Sequence, residues 1–151
     1  MSARMLQLIL RGLDRVARAL PWNQAGGAAP HLRTGQQGEQ DAYFWLRRQG
    51  YVMVARNWRS SGRRGEVDLI GWDRGVLCFI EVKSRRRRDV LVTAEAAVDR
   101  DKQRSLRAVA HEYLRRQEAP PQYRFDVVTV YYEGGQAPAI TLQRNAFPVT
   151  E

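Results

Sequence analysis

The sequence predicts an α/β sandwich, a mixed sheet flanked by helices, with elements in the order αβββαββ. Runs rich in strand formers occur at residues 51–58, 66–72, 76–83, 123–132 and 139–143. Two segments of helical period, 38–49 and 100–117, interrupt them. Three strands therefore precede the second of these helices and two follow it, an order that packs as helices against a sheet. A length of 151 residues suits one such domain.

Taken in order, residues 1–20 read as a basic amphipathic helix. Leu6, Ile9, Leu10, Leu13, Val16 and Leu20 recur at helical spacing, with Arg4, Arg11, Arg15 and Arg18 between them, and Pro21 ends the run. Charges break every apolar stretch, so a secretory signal is not expected. A helix packed on the domain, a mobile extension, and a weak membrane-surface or partner contact all fit this segment. Residues 21–36, with Pro21, Gly26, Gly27, Pro30 and Gly35, read as a linker, and the compact domain as 37–148. Within it, Gly50 is placed to end the helix 38–49. Residues 60–65 (SSGRRG) form a turn, Asp99 is placed to cap the helix that starts at 100, and Pro120 and Pro121 stop it.

Composition narrows the function classes. With 44% apolar and 27% charged residues the chain is not a wholly disordered one. It has no apolar run of about 18 residues to span a membrane, and a cytoplasmic location is expected. A single cysteine, Cys78, excludes an internal disulfide framework and a zinc-thiolate cluster, and is expected to be a buried small apolar residue. The net charge is +9, which favours a polyanionic partner: nucleic acid first, an anionic membrane surface second. The extension to residue 37 carries +4 of it and the domain +5. A homodimer is left open. Of the 25 basic residues only Lys83 and Lys102 are lysine. Where positive charge is otherwise written as arginine, a lysine marks a position that needs its chemistry.

The second and third strands are joined through Arg74-Gly75, read as a two-residue type I′ turn. Asp68 then falls opposite Glu81, and Glu66 opposite Lys83. Residues two apart share a face, so Glu66, Asp68, Glu81 and Lys83 form one polar cluster that Leu77 and Phe79 extend. Val67, Leu69, Cys78, Ile80 and Val82 point the other way, into a core. Opposed carboxylates with Cβ atoms roughly 5 Å apart repel each other unless a lysine or a divalent cation compensates. Hard oxygen ligands suit Mg²⁺ or Mn²⁺. A three-residue turn would shift the pairing and break this geometry, and Glu66 with Lys83 also reads as a plain cross-strand ion pair.

Residues 38–85 and the later R-F-D-V-V at 124–128 resemble the YraN-type family of small bacterial proteins. The resemblance rests on G-E, N-W-R, G-E-V-D-L-I, E-V-K-S-R and R-F-D-V-V in that order, and spans about residues 36–147. That family is similar to the PD-(D/E)xK nucleases, particularly archaeal Holliday-junction resolvases, which implies a restriction-endonuclease-like αβββαβ core. The resemblance implies metal ligation by Asp68, Glu81 and the Val82 carbonyl, with Glu39 as a further acid. Lys83 then orients or activates a water that Mg²⁺ or Mn²⁺ has made more acidic. Val67 stands where the signature has proline, a change that suits a strand. Glu66, Lys102, Arg124 and Asp126 are expected around this set; Arg124 with Asp126 also reads as a structural ion pair. Arg56, Arg59, Arg63 and Arg64 at one end of the hairpin, and Arg85, Arg86, Arg87 and Arg88 beyond the third strand, are expected to track a phosphate backbone, DNA above all. Trp45, Trp58 and Trp72 are expected in the core or at its edge, and His111 on a helix surface. A structure-selective DNA endonuclease is the leading reading. A nucleic-acid-binding protein without catalysis is its alternative, since a fold does not fix an activity.

Overall fold

The computed structural model describes residues 30–62, 65–86 and 98–150, with side chains from residue 35. The expected helix over 1–20, most of the linker, and Arg63, Arg64, Arg87 and Arg88 lie outside the described residues.

Helix α1 spans Pro30–Arg48, so it begins inside the stretch expected to be linker. Proline is tolerated in a first helical turn, where no intrahelical N–H bond is required, and so does not exclude helix at residue 30. The helix ends as its glycine predicts. Gly50 adopts φ 95°, its N–H reaches the Arg47 carbonyl, and the Tyr51 N–H reaches the Leu46 carbonyl at 3.1 Å. This is a Schellman closure.

The strands follow as β1 (Val52–Arg59), β2 (Glu66–Asp73), β3 (Val76–Arg86), β4 (Tyr123–Tyr132) and β5 (Ala139–Phe147), with α2 (Arg100–Leu114) between β3 and β4. They form one sheet in the order β1-β2-β3-β4-β5. The β3–β4 pairing is parallel and the other pairings are antiparallel. A parallel pair needs a crossover, and α2 lies within it. Asp99 caps α2, its carboxylate accepting the Lys102 N–H at 2.8 Å. Arg74 and Gly75 both have positive φ (50° and 87°), which makes the β2–β3 hairpin the expected type I′ turn, with Asp73 opposite Val76.

The apolar side chains divide between the two faces of the sheet. Against α1, Ala42, Tyr43 and Leu46 pack on Met53, Leu69, Cys78, Ile80 and Val128. Against α2, Leu106, Val109 and Leu114 pack on Ile70, Leu77, Phe79, Phe125 and Val127. Trp58 and Trp72 edge the second cluster and Trp45 the first; Cys78 is buried. Val67 corrects the expected alternation, because it joins the α2-side cluster instead of the Leu69 side. The β2–β3 register extends only as far as Leu69 opposite Ile80. Beyond it β2 is held by β1 alone, and the left-handed Asn57 (φ 48°) lies in that part of β1. Strands released from one neighbour twist more, and Val67 turns with its partner Trp58.

Candidate active site at a fork in the sheet

The hairpin register places Asp68 and Glu81 one step past the last β2–β3 pair, where the two strands separate. β3 continues instead along β4, from Glu81 opposite Val127 to Arg86 opposite Tyr132. The separation leaves the β3 backbone without its β2 partner, and Asp68 fills the gap. Its Oδ2 accepts the Val82 N–H at 2.8 Å. The N–H and C=O of one strand residue face the same side, so the Val82 carbonyl also faces the fork.

Two glycines let the helices reach this point. A Cβ on Gly38 would lie 1.9 Å from Ser84 Oγ, so α1 approaches β3 closely there and carries the next residue, Glu39, to the fork. A Cβ on Gly65 would lie 2.4 Å from Ser105 Oγ and 3.0 Å from Val109 Cγ2. This close approach of α2 lets Lys102, one turn before Ser105, extend over the carboxylates. The two G-E dipeptides of the sequence are thus packing contacts that shape the site.

Asp68 and Glu81 are 7% and 4% exposed. Lys83 Nζ donates to Glu81 Oε1 at 2.9 Å. Lys102 Nζ forms an ion pair with the buried Glu81 Oε2 at 3.1 Å. Burial, reinforced by Glu81, pushes the Asp68 carboxyl up to about 8, against the lowering effect of the Val82 N–H. Burial also raises the Glu39 carboxyl, opposed by a hydrogen bond from Asn57 and reinforced by Glu66 and Glu81. Burial works against the Lys102 charge, but Glu81 and Asp68 more than offset it and hold the ammonium above its usual range.

Asp68, Glu81, Lys83, Val82, Glu39 and Lys102 therefore meet at the fork. The other expected residues do not. The Glu66 carboxylate turns away from Lys83 and binds Arg59 at 2.8 Å, because Arg59 is its β1 partner. Only the Glu66 carbonyl faces Lys102 Nζ, at 3.5 Å. Arg124 and Asp126 form a separate structural cluster. On β4, Asp126 is level with Ile80 on β3, while Val127 is level with Glu81, so Asp126 lies on the α1 side of the sheet. Arg124 binds Asp126 at 2.8 Å and Asp73 at 2.7 Å, and Asn145 N–H and Tyr51 OH complete the Asp126 carboxylate's shell. Against the effect of burial, Arg124 and Arg144 hold the Asp73 carboxyl below its ordinary range.

Among the arginines, Arg56 stacks over Tyr43 at 5.8 Å and Arg59 is exposed beside Glu66. Arg85 and Arg86 are not in a loop, as expected, but extend β3 opposite Tyr131 and Tyr132. Consecutive strand residues face opposite sides, so this pair cannot present a single face. Asn57 opens the N-W-R string but is not expected at the site from sequence. Its positive φ and its bond to Glu39 place it there. The available signal is an asparagine, which tolerates that conformation, within a strand.

The same residues lie within a region shared with other bacterial proteins. The model of the Uncharacterised protein family UPF0102 matches residues 38–130. The chain belongs to the UPF0102 family. A UPF0102 protein of Koribacter versatilis is 52% identical over 117 residues, covering 78% of this chain and 80% of that protein. A UPF0102 protein of Solibacter usitatus is 39% identical over 145 residues, covering 95% of this chain and all of its relative. One from Symbiobacterium thermophilum is 50% identical over 99 residues, or 65% and 81% of the two chains. Glu39, Asn57, Asp68, Glu81, Lys83 and Lys102 all fall inside the UPF0102 match.

Proposed function

We propose that this UPF0102 protein is a divalent-cation-dependent nucleic-acid phosphodiesterase, a structure-selective DNA endonuclease. The observation that carries the reading is the pair of buried carboxylates at the fork with Lys83 on one of them. Glu81 Oε2 is buried and faces the Lys102 ammonium at 3.1 Å, so the fork already holds a cation against this oxygen. Among the described residues no three His, Cys, Asp or Glu side chains are grouped so that they could hold a metal ion together, which leaves Glu39 at the rim of the fork. The donors on offer are therefore Asp68, Glu81 and the Val82 carbonyl. Few protein ligands suit Mg²⁺ or Mn²⁺, which keep waters and bind through one or two carboxylates plus substrate phosphate.

When bound, such a cation polarises a phosphate oxygen and makes a coordinated water more acidic. The chain supplies the rest. Asp68 and Glu81 hold the charge in a fixed place, with Asp68 anchored by the Val82 N–H. Glu39, steadied by Asn57, adds negative charge at the rim. Lys83 delivers a compact ammonium where phosphate charge develops, and an arginine there would be bulkier and always protonated.

Cleavage of a panel of duplex, flap, fork and four-way-junction DNA in Mg²⁺ or Mn²⁺ tests this. Activity should fall by at least about 100-fold in Asp68→Ala and Lys83→Ala, the scale of removing one electrostatic stabiliser from a catalytic site. Clean protein that binds DNA but cleaves none of these, nor RNA, assigns the chain to the non-catalytic alternative.

A further inference from the structure

Both lysines of a chain with 25 basic residues end on one carboxylate. Lys83 reaches Glu81 Oε1 along β3, and Lys102 reaches Oε2 from the first turn of α2. The two holds differ. Lys83 makes a hydrogen bond at 2.9 Å. Lys102 pairs with the other oxygen at 3.1 Å and donates a long hydrogen bond to the Glu66 carbonyl at 3.5 Å. Its ammonium is thus held by one ion pair and one long hydrogen bond, on a side chain that solvent still reaches. The close passage of α2 over Gly65 brings it there, and its side chain is still 29% exposed.

We propose that Lys102 is a placeholder cation: it occupies Glu81 Oε2 while the fork lacks a divalent cation, and swings onto a substrate phosphate when one takes that oxygen. This rests on reading Asp68 and Glu81 as cation ligands. A divalent ion at the carboxylates would neutralise the attraction that holds Lys102 and repel its ammonium at short range. The long, flexible stem lets the ammonium move several ångströms while the helix stays in place. A phosphate bound beside the ion is the partner of opposite charge. Without Lys102, Glu39, Asp68 and Glu81 would face an approaching phosphate with Lys83 as the remaining ammonium.

The test uses the full chain and Mn²⁺ alone, titrated by calorimetry at fixed pH. Lys102→Met should bind Mn²⁺ roughly two- to fivefold more tightly than wild type, the scale of a partly exposed ion pair, and Lys102→Arg should stay near wild type. In Ca²⁺, Lys102→Met should also lower the log–log salt slope of duplex binding by about 0.9, as expected when one phosphate fewer is neutralised. Lys102→Gln replaces the Met variant if thermal melting shows that variant unfolded. Mn²⁺ affinity that Asp68→Asn abolishes but Lys102→Met leaves unchanged overturns the displacement alone. An unchanged salt slope overturns the phosphate contact. A wild-type chain that binds no Mn²⁺ overturns the cation reading and this proposal with it.

Discussion

Asp68 combines two conflicting demands. Its Oδ2 closes the fork through the Val82 N–H, while burial and Glu81 push its carboxyl up to about 8. An unfolded aspartate titrates near about 3.9. The folded state therefore binds the proton more tightly, and this contribution to stability is full below about pH 4 and lost as pH rises towards 8. Asp68→Asn keeps an acceptor for Val82 and removes the charge. In EDTA it should raise stability at about pH 8 by about 1–3 kcal/mol, the scale of relieving an uncompensated buried polar group. The gain should shrink towards about pH 4, and Mn²⁺ should raise the Tm of wild type but not of the variant. Thermal melts across this pH range check all three.

At the scale of elements, the site depends on how strands end. β2 and β3 pair up to Leu69 and Ile80 and then part. What closes the other end of the hairpin is the Arg124 cluster, which joins the end of β2 (Asp73), the residue just before β1 (Tyr51) and β4 (Asp126). Asp126 is fully buried. Arg124→Met would leave its charge uncompensated, at a cost of about 3–5 kcal/mol in denaturant unfolding. Because this cluster sits at the end of the hairpin away from the fork, Mn²⁺ affinity of the folded variant should stay unchanged. A selective loss of Mn²⁺ binding would return Arg124 to the site. The aromatic ladder from Phe79 through Phe125 to Phe147, with Phe125 and Phe147 stacked at 4.7 Å, ties β5 to the same core. This explains why β5 runs to residue 147, past the expected end at 143.

For the whole molecule, charge and surface act together. The +9 net charge is shared almost equally between the extension and the domain, so total charge says little about where a polyanion would lie. Position says more. Arg59 stands at the open ends of β1 and β2, and Arg85 and Arg86 lie on β3 beyond the fork. Neutralising Arg85–Arg88 to glutamine should flatten the salt dependence of DNA binding, by about 0.9 in log–log slope for each phosphate no longer neutralised. Because Arg85 and Arg86 face opposite sides of β3, the described pair should account for about one phosphate. Binding measured from about 50 to 200 mM salt decides it, and an unchanged slope removes this patch from the footprint. No helix among the described residues is long and apolar enough to cross a membrane.

Periodicity and turn chemistry alone determined the element order, the helix end at Gly50, the Asp99 cap and the type I′ hairpin. That turn in turn set the β2–β3 register from Asp73 opposite Val76 to Leu69 opposite Ile80; the strands part before Asp68 and Glu81 can pair. These are local matters: a backbone conformation that glycine permits, or a side chain facing its own N–H groups, is written within a few residues. Only the tertiary structure decided which neighbours each polar group would find. Glu66 was expected opposite Lys83, but the β2–β3 pairing ends before it and its carboxylate binds its β1 partner Arg59. Arg124 and Asp126 could have backed the site, but β4 runs parallel to β3 at a register that puts Asp126 on the opposite face. Lys102 gave no local sign of its target, because the approach of α2 over Gly65 joins Gly65 to Ser105, far apart in sequence. Pairing across such distances is fixed by packing of the whole sheet and its helices, which no local pattern encodes.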